Sequence, residues 1–210
     1  MTHDSKEVLK GFVAECEELW IDHALYCELF ETDGRTLALY EAIAHKTFVD
    51  LNRILVGHLF VGFCRVTDPA HTGKHDNLTT NFIVEELQWP GDVLRKLKEV
   101  NECMMKFRAL VVDARRKRLA HTDLKAQIKD LGDLGAFPKG DDREFLKDLA
   151  EFVNIAHEHV FGEPHPIEVG GATDANDLIR ALGKSAIFDA CSKCSEQERT
   201  NAVLNYEGQH

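Results

Sequence analysis

At 210 residues the chain fits one domain, with room for an appendage, and can bury a sizeable core. Its formal net charge of −11 argues against a surface coated for non-specific nucleic-acid binding. Six cysteines, four of them in apolar helical patterns and none behind a signal-peptide pattern, read as reduced thiols. The longest apolar stretch, 54–64, is short of a membrane span and is broken by His58, so a soluble, cytoplasmic protein is expected.

Apolar residues recur at three- and four-residue spacing from Val8 to Phe30 (Leu9, Phe12, Val13, Cys16, Leu19, Trp20, Ala24, Cys27). That spacing predicts a long amphipathic helix, ended by Asp33 and Gly34. From about Thr36 to Val66 a second stretch is apolar on several sides, as a central helix is, and a break, if it has one, falls near His45. Turn residues crowd Asp68 to Asn77 and predict a loop. A shorter helix follows over Leu78 to Leu87, stopped by Trp89-Pro90-Gly91. Asp92 is the expected N-cap of a long basic helix reaching about Leu119, with Thr122 or Asp123 able to cap a short continuation.

After a loop from Gly132 to Asp141, Asp141 or Asp142 starts a helix that ends near Phe161. Pro164, Pro166, Gly170 and Gly171 mark a linker, and a helix from Asn176 to about Cys191 precedes a polar tail. Strand-like alternation is essentially missing. The expected fold is all-α: an up-and-down bundle of four to five main helices over 1–163, with 164–210 as a linker, short helix and tail of unassigned role.

Charge is distributed unevenly. Residues 91–129 hold 11 Lys or Arg against 5 Asp or Glu, leaving 14 against 31 elsewhere. One basic element on an acidic body suits a single anion site. Within it, Arg115, Arg116, Lys117 and Arg118 stand directly ahead of His121. A guanidinium can grip a phosphodiester with two hydrogen bonds, and a histidine moves a proton near neutral pH. In a continuous helix, however, Lys117 and Arg118 share the face of His121, while Arg115 and Arg116 lie about 120–140° away. Spacing alone assembles no site, and a solvated helix end, where cations favour the dipole, explains the run at least as well.

Asp68 can orient an arginine or histidine of the basic helix if the second helix packs beside it; equally, it can simply end a helix ahead of Pro69. Lys74 and His75 add cations to the same loop. Cys191 and Cys194 form a lone C-x-x-C pair, and His157 and His159 sit on a helix. Nothing completes a four-ligand zinc set, so no metal and no cofactor is expected. Trp20, Phe48, Phe60 and Phe107 fit core packing better than a base-stacking platform.

The stretch from Arg115 to Asp123 resembles the signature of the HEPN superfamily, helical-bundle domains of prokaryotic defence and RNA processing marked by an arginine followed four to six residues later by a histidine. Upstream, Arg65-x-Thr67-Asp68-Pro69-Ala70, then Gly73-Lys74 and Asn77-Leu78 before a short helix, is similar to the abortive-infection AbiU-type branch. The resemblance covers roughly Val8 to Phe161. It implies a metal-independent endoribonuclease that uses the ribose 2′-hydroxyl as nucleophile and leaves a 2′,3′-cyclic phosphate. It also implies a homodimer in which two Arg/His motifs face one cleft, an antitoxin partner, and a role in phage defence.

His121 matches the motif histidine. Arg115, five residues intervening, matches the arginine; Arg116, four intervening, satisfies the motif as well and stands where the family usually carries a smaller polar residue such as Asn. The resemblance thus implies Arg115, Arg116 and His121 as catalytic residues; Lys117 and Arg118, on the face of His121, and Asp68 are the candidate substrate-binding residues beside them. Asp123 stands where the branch paired with nucleotidyltransferase antitoxins carries tyrosine, so control by modification of that tyrosine is not implied. Other members have lost activity, which makes a catalytically silent module binding RNA, a nucleotide or an antitoxin the alternative expectation. A helical scaffold whose basic segment contacts an acidic neighbour is a third.

Overall fold

The three-and-four spacing at the N-terminus forms one uninterrupted helix, α1 (Ser5–Phe30), and most of the chain follows suit. The computed structural model describes residues 4–114, 137–165 and 174–190. About 80% of what it describes is helical. The helices after α1 are α2 (Gly34–Val66), α3 (Thr80–Glu86), α4 (Gly91–Ala114), α5 (Asp141–Phe161) and α6 (Ala175–Ala190). Between α2 and α3 lies a two-stranded antiparallel ribbon, β1 (His71–Thr72) and β2 (His75–Asp76). The protein is an all-α helical bundle, as its periodicity predicts.

Local departures from the sequence reading have simple causes. The loop expected over Asp68 to Asn77 tightens into the β1–β2 ribbon because Gly73 takes φ +64° at the first of its two turn residues. Lys74, the second, keeps a negative φ, which is the pattern of a type II′ turn that matches strand twist. α4 begins at Gly91, so Asp92 falls inside the first turn, where its charge favours the dipole, and is not the N-cap. The break expected near His45 is at Ala44, whose φ −156° and ψ 53° interrupt α2.

The residues cluster into two compact units, one within Met1–Trp20 and Gly57–Val169, the other within Ile21–Val56 and Gly170–His210. In the first, the core is a set of edge-on and tilted aromatic rings. Phe63 of α2 meets Phe107 of α4 at 5.3 Å and Phe145 of α5 at 5.1 Å, and Phe12 of α1 meets Phe152 of α5 at 6.0 Å. Each buried ring contributes about 1.5–3 kcal/mol by leaving water, and each well-placed aromatic pair adds roughly 0.5–1.5 kcal/mol. α5 supplies a continuous buried stripe (Phe145, Leu146, Leu149, Phe152, Val153, Ala156) and packs along α4. It stops at Gly162, whose φ of 86° turns the chain away and lets its N–H donate to the Glu158 carbonyl at 2.9 Å. α1 approaches α2 closely at Gly62, where an added Cβ would lie 2.7 Å from Leu19 Cδ1.

In the second unit, Asp33 Oδ1 accepts from the backbone N–H of Thr36 at 2.9 Å and of Arg35 at 3.1 Å and so starts α2. Tyr40 and Phe48 stack at 3.8 Å across the Ala44 break. Burial pushes the Tyr40 phenol up from its ordinary value, and its hydroxyl has no hydrogen-bond partner among the described residues. Leu37, Ile43, Val49, Leu51 and Ile54 of α2 are exposed. With 33 residues α2 is long and apolar enough to cross a bilayer, which corrects the reading of 54–64 as the longest apolar stretch; core helices of soluble proteins pass the same test, but they are mostly buried and only 22% of this window is.

Candidate functional site

Of the residues singled out from sequence, Asp68 is described, whereas Arg115, Arg116, Lys117, Arg118 and His121 lie outside the described residues, as do Cys191 and Cys194. The described part of α4 ends at Ala114, the residue before Arg115. What the structure places is the ground on which the basic segment begins.

That ground is a polar seam where α2 ends. Thr67 finishes the helix by donating its hydroxyl back to the Phe63 carbonyl at 2.7 Å. Asp68, next in the chain, is three-quarters buried, and its Oδ1 accepts from the Arg108 guanidinium of α4 at 2.7 Å. The two carbonyls of this turn, Thr67 and Asp68, both accept from Asn81 Nδ2 of α3 at 3.0 Å. Because those carbonyls can only accept, they fix which way the Asn81 amide points. Its Oδ1 must therefore accept, and it does so from Asn101 Nδ2 of α4 at 2.9 Å. Asn101, Met105 and Arg108 recur at four and three residues, which puts them on one face of α4.

Asp68 and Arg108 leave only 22% and 16% of their side chains exposed, so a charge-assisted bond of this length is worth more than a surface ion pair. Asn101 Oδ1 and Arg108 Nε are buried without hydrogen-bond partners among the described residues. Sequence reading missed Arg108, Asn81 and Asn101. The signal for Asn101 and Arg108 was their place on α4 beside core positions Met104, Phe107 and Val111, which a solvated face explains equally well; Asn81, on α3, had none.

The loop that begins at Asp68 is itself tied down. Asn77 donates from Nδ2 to the Pro69 carbonyl at 2.7 Å and to Thr72 Oγ1 at 2.8 Å, and its backbone N–H donates to the Ala70 carbonyl at 2.7 Å. Lys74 and His75 stand exposed at the ribbon's turn. His71 lies between two carboxylates, its Nδ1 2.9 Å from Asp76 Oδ1 and its Nε2 3.1 Å from Glu86 Oε1. Together with Glu85 and Glu86 it forms the group, among the described residues, whose donor atoms converge within 4.8 Å as a metal-ligand set does. Both ring nitrogens are engaged with carboxylates, however, which is the arrangement of an imidazolium, and an imidazolium has no lone pair to give a metal. On α5, His157 bonds the Glu163 carbonyl through Nδ1 and His159 packs against Trp89, so neither completes a ligand set there.

Comparison of the chain with known protein families, with curated proteins and with solved structures finds no match.

Proposed function

We propose that the chain is a metal-independent endoribonuclease of the HEPN type, cytosolic and acting as a homodimer in phage defence or as a toxin held by an antitoxin. Arg115, with Arg116, neutralises the phosphate as it gains charge. His121 moves a proton to or from the reacting oxygens. The ribose 2′-hydroxyl attacks the adjacent phosphorus and the 5′-oxygen leaves, giving a 2′,3′-cyclic phosphate. Lys117 and Arg118 bind the phosphate backbone, and Asp68, through its bond to Arg108, braces the helix that leads into them.

The observation that carries this reading is the Asp68–Arg108 pair with its Asn81 and Asn101 braces. The two stretches that resemble the family lie far apart in sequence. The seam fastens the first of them to the helix whose next residue opens the second.

Incubating purified wild-type and His121→Ala protein with mixed cellular RNA in EDTA tests the proposal. Cleavage by wild type alone, with cyclic phosphate ends, is expected. Retention of RNA by both proteins with cleavage by neither would replace the enzyme with a binding module.

A further inference from the structure

A neutral imidazole has one N–H and can donate to only one acceptor. His71 has a carboxylate oxygen at hydrogen-bond distance from each ring nitrogen, Asp76 across the ribbon and Glu86 at the end of α3. Ionised carboxylates only accept, so the arrangement is complete with two protons on the ring. The two carboxylates belong to different elements: Asp76 is the residue paired with His71 in the β1–β2 register, and Glu86 is the last residue of α3. On a neutral ring the remaining proton favours Nδ1, whose carboxylate is the closer at 2.9 Å against 3.1 Å, so the bond lost is the one from Nε2 to Glu86, which joins the ribbon to the helix.

We propose that His71 is a proton-operated latch that fastens the β1–β2 ribbon to the C-terminal end of α3 when protonated and releases it when neutral. The charged and titratable groups around it act in one direction on the helix side and are mixed on the ribbon. α3 presents Glu86 and Glu85, both acidic, and the ribbon carries Asp76 together with Lys74 and His75 at and after the turn. The Phe82 ring of α3 stands edge-on at 6.3 Å and supplies an apolar wall.

The Asp76 bond, then the Glu86 bond, holds His71 above its ordinary value of 6.5. The sign follows: the latch is fully closed below that ordinary value and opens as pH rises through the raised one. Its release is local, because the remaining ties of the loop, made by Asn77 and Asn81, use amides that do not titrate. The proposal does not depend on the chain being a ribonuclease.

The test is a nitrogen-detected titration of the full-length protein, with the His71 resonance identified by its loss in His71→Gln. Both His71 nitrogens should be protonated at low pH, and the ring should titrate above the ordinary imidazole value. Glu86→Gln should bring that titration down. Amide exchange at Thr72 and His75, the pair that flanks the turn, should show an extra acceleration through the titration in wild type and none in Glu86→Gln. A His71 that titrates at or below the ordinary value, or that is unmoved by Glu86→Gln, would overturn the latch. So would ribbon amides that exchange with no break at the titration. All the side chains involved are exposed, and unchanged circular dichroism of the variants would show that the fold is kept.

Discussion

Phe107 and Arg108 are neighbours on α4, yet they hold the end of α2 in opposite ways. Phe107 meets Phe63 edge-on in an apolar core that α5 closes with Phe145. Arg108 meets Asp68 through one charge-assisted bond in a seam that Asn81 and Asn101 extend. The core contact is non-directional and spread over many atoms, so each part of it can be lost piecemeal. The seam is a chain of donors and acceptors in which the orientation of each amide depends on the next. Removing one member leaves another buried and unpaired. The two contacts sit side by side and differ in how they fail.

The largest expected effect is on the core side. Phe63→Ala removes a ring that is 1% exposed and should cost about 3–5 kcal/mol in urea unfolding, whereas Phe63→Leu should cost much less. On the seam side, Asp68→Ala strands the Arg108 charge and should cost about 1–3 kcal/mol; replacing both residues with apolar ones should cost less than that single change. A seam that behaved like the core would instead show the two losses adding. Asn81→Ala frees two carbonyls and the Asn101 amide at once. It should cost about 1–2 kcal/mol and should speed amide exchange at the loop after α2.

The smallest effect lies in the second unit. The Thr36 backbone bond to Asp33 lowers the carboxyl from its ordinary value of 3.8. Its contribution is therefore present above that value and lost as pH falls through the lowered one, and Asp33→Ala should erase this acid-side dependence while leaving the neutral-pH fold intact.

Much of the core is legible in the order of residues alone. Phe12, Cys16, Leu19 and Trp20 are buried at the spacing that predicts α1, and α5 runs from Asp141 to Phe161, as its start at Asp141 or Asp142 and end near Phe161 are expected to. Periodicity reads burial well because apolar residues are spaced by the turn of the helix they form. The seam is not legible in that way, because Asn81, Asn101 and Arg108 are polar residues whose burial depends on a partner brought from another helix. Of its members the sequence singles out only Asp68, whose partner is Arg108, seven residues ahead of Arg115. The His71 bridge is hidden for the same reason. Nothing in the spacing of His71, Asp76 and Glu86 says that a two-residue turn and the end of a short helix bring them together.

The most direct measurement is a double-mutant cycle at the seam: unfolding free energies of wild type, Asp68→Asn, Arg108→Gln and the pair, at one pH and salt. If the seam fastens the turn after α2 to α4, the cycle should show a coupling of at least about 1 kcal/mol that persists at high salt. Additive losses would mean that the pair carries no binding between these segments, and the functional reading would then lose its structural support.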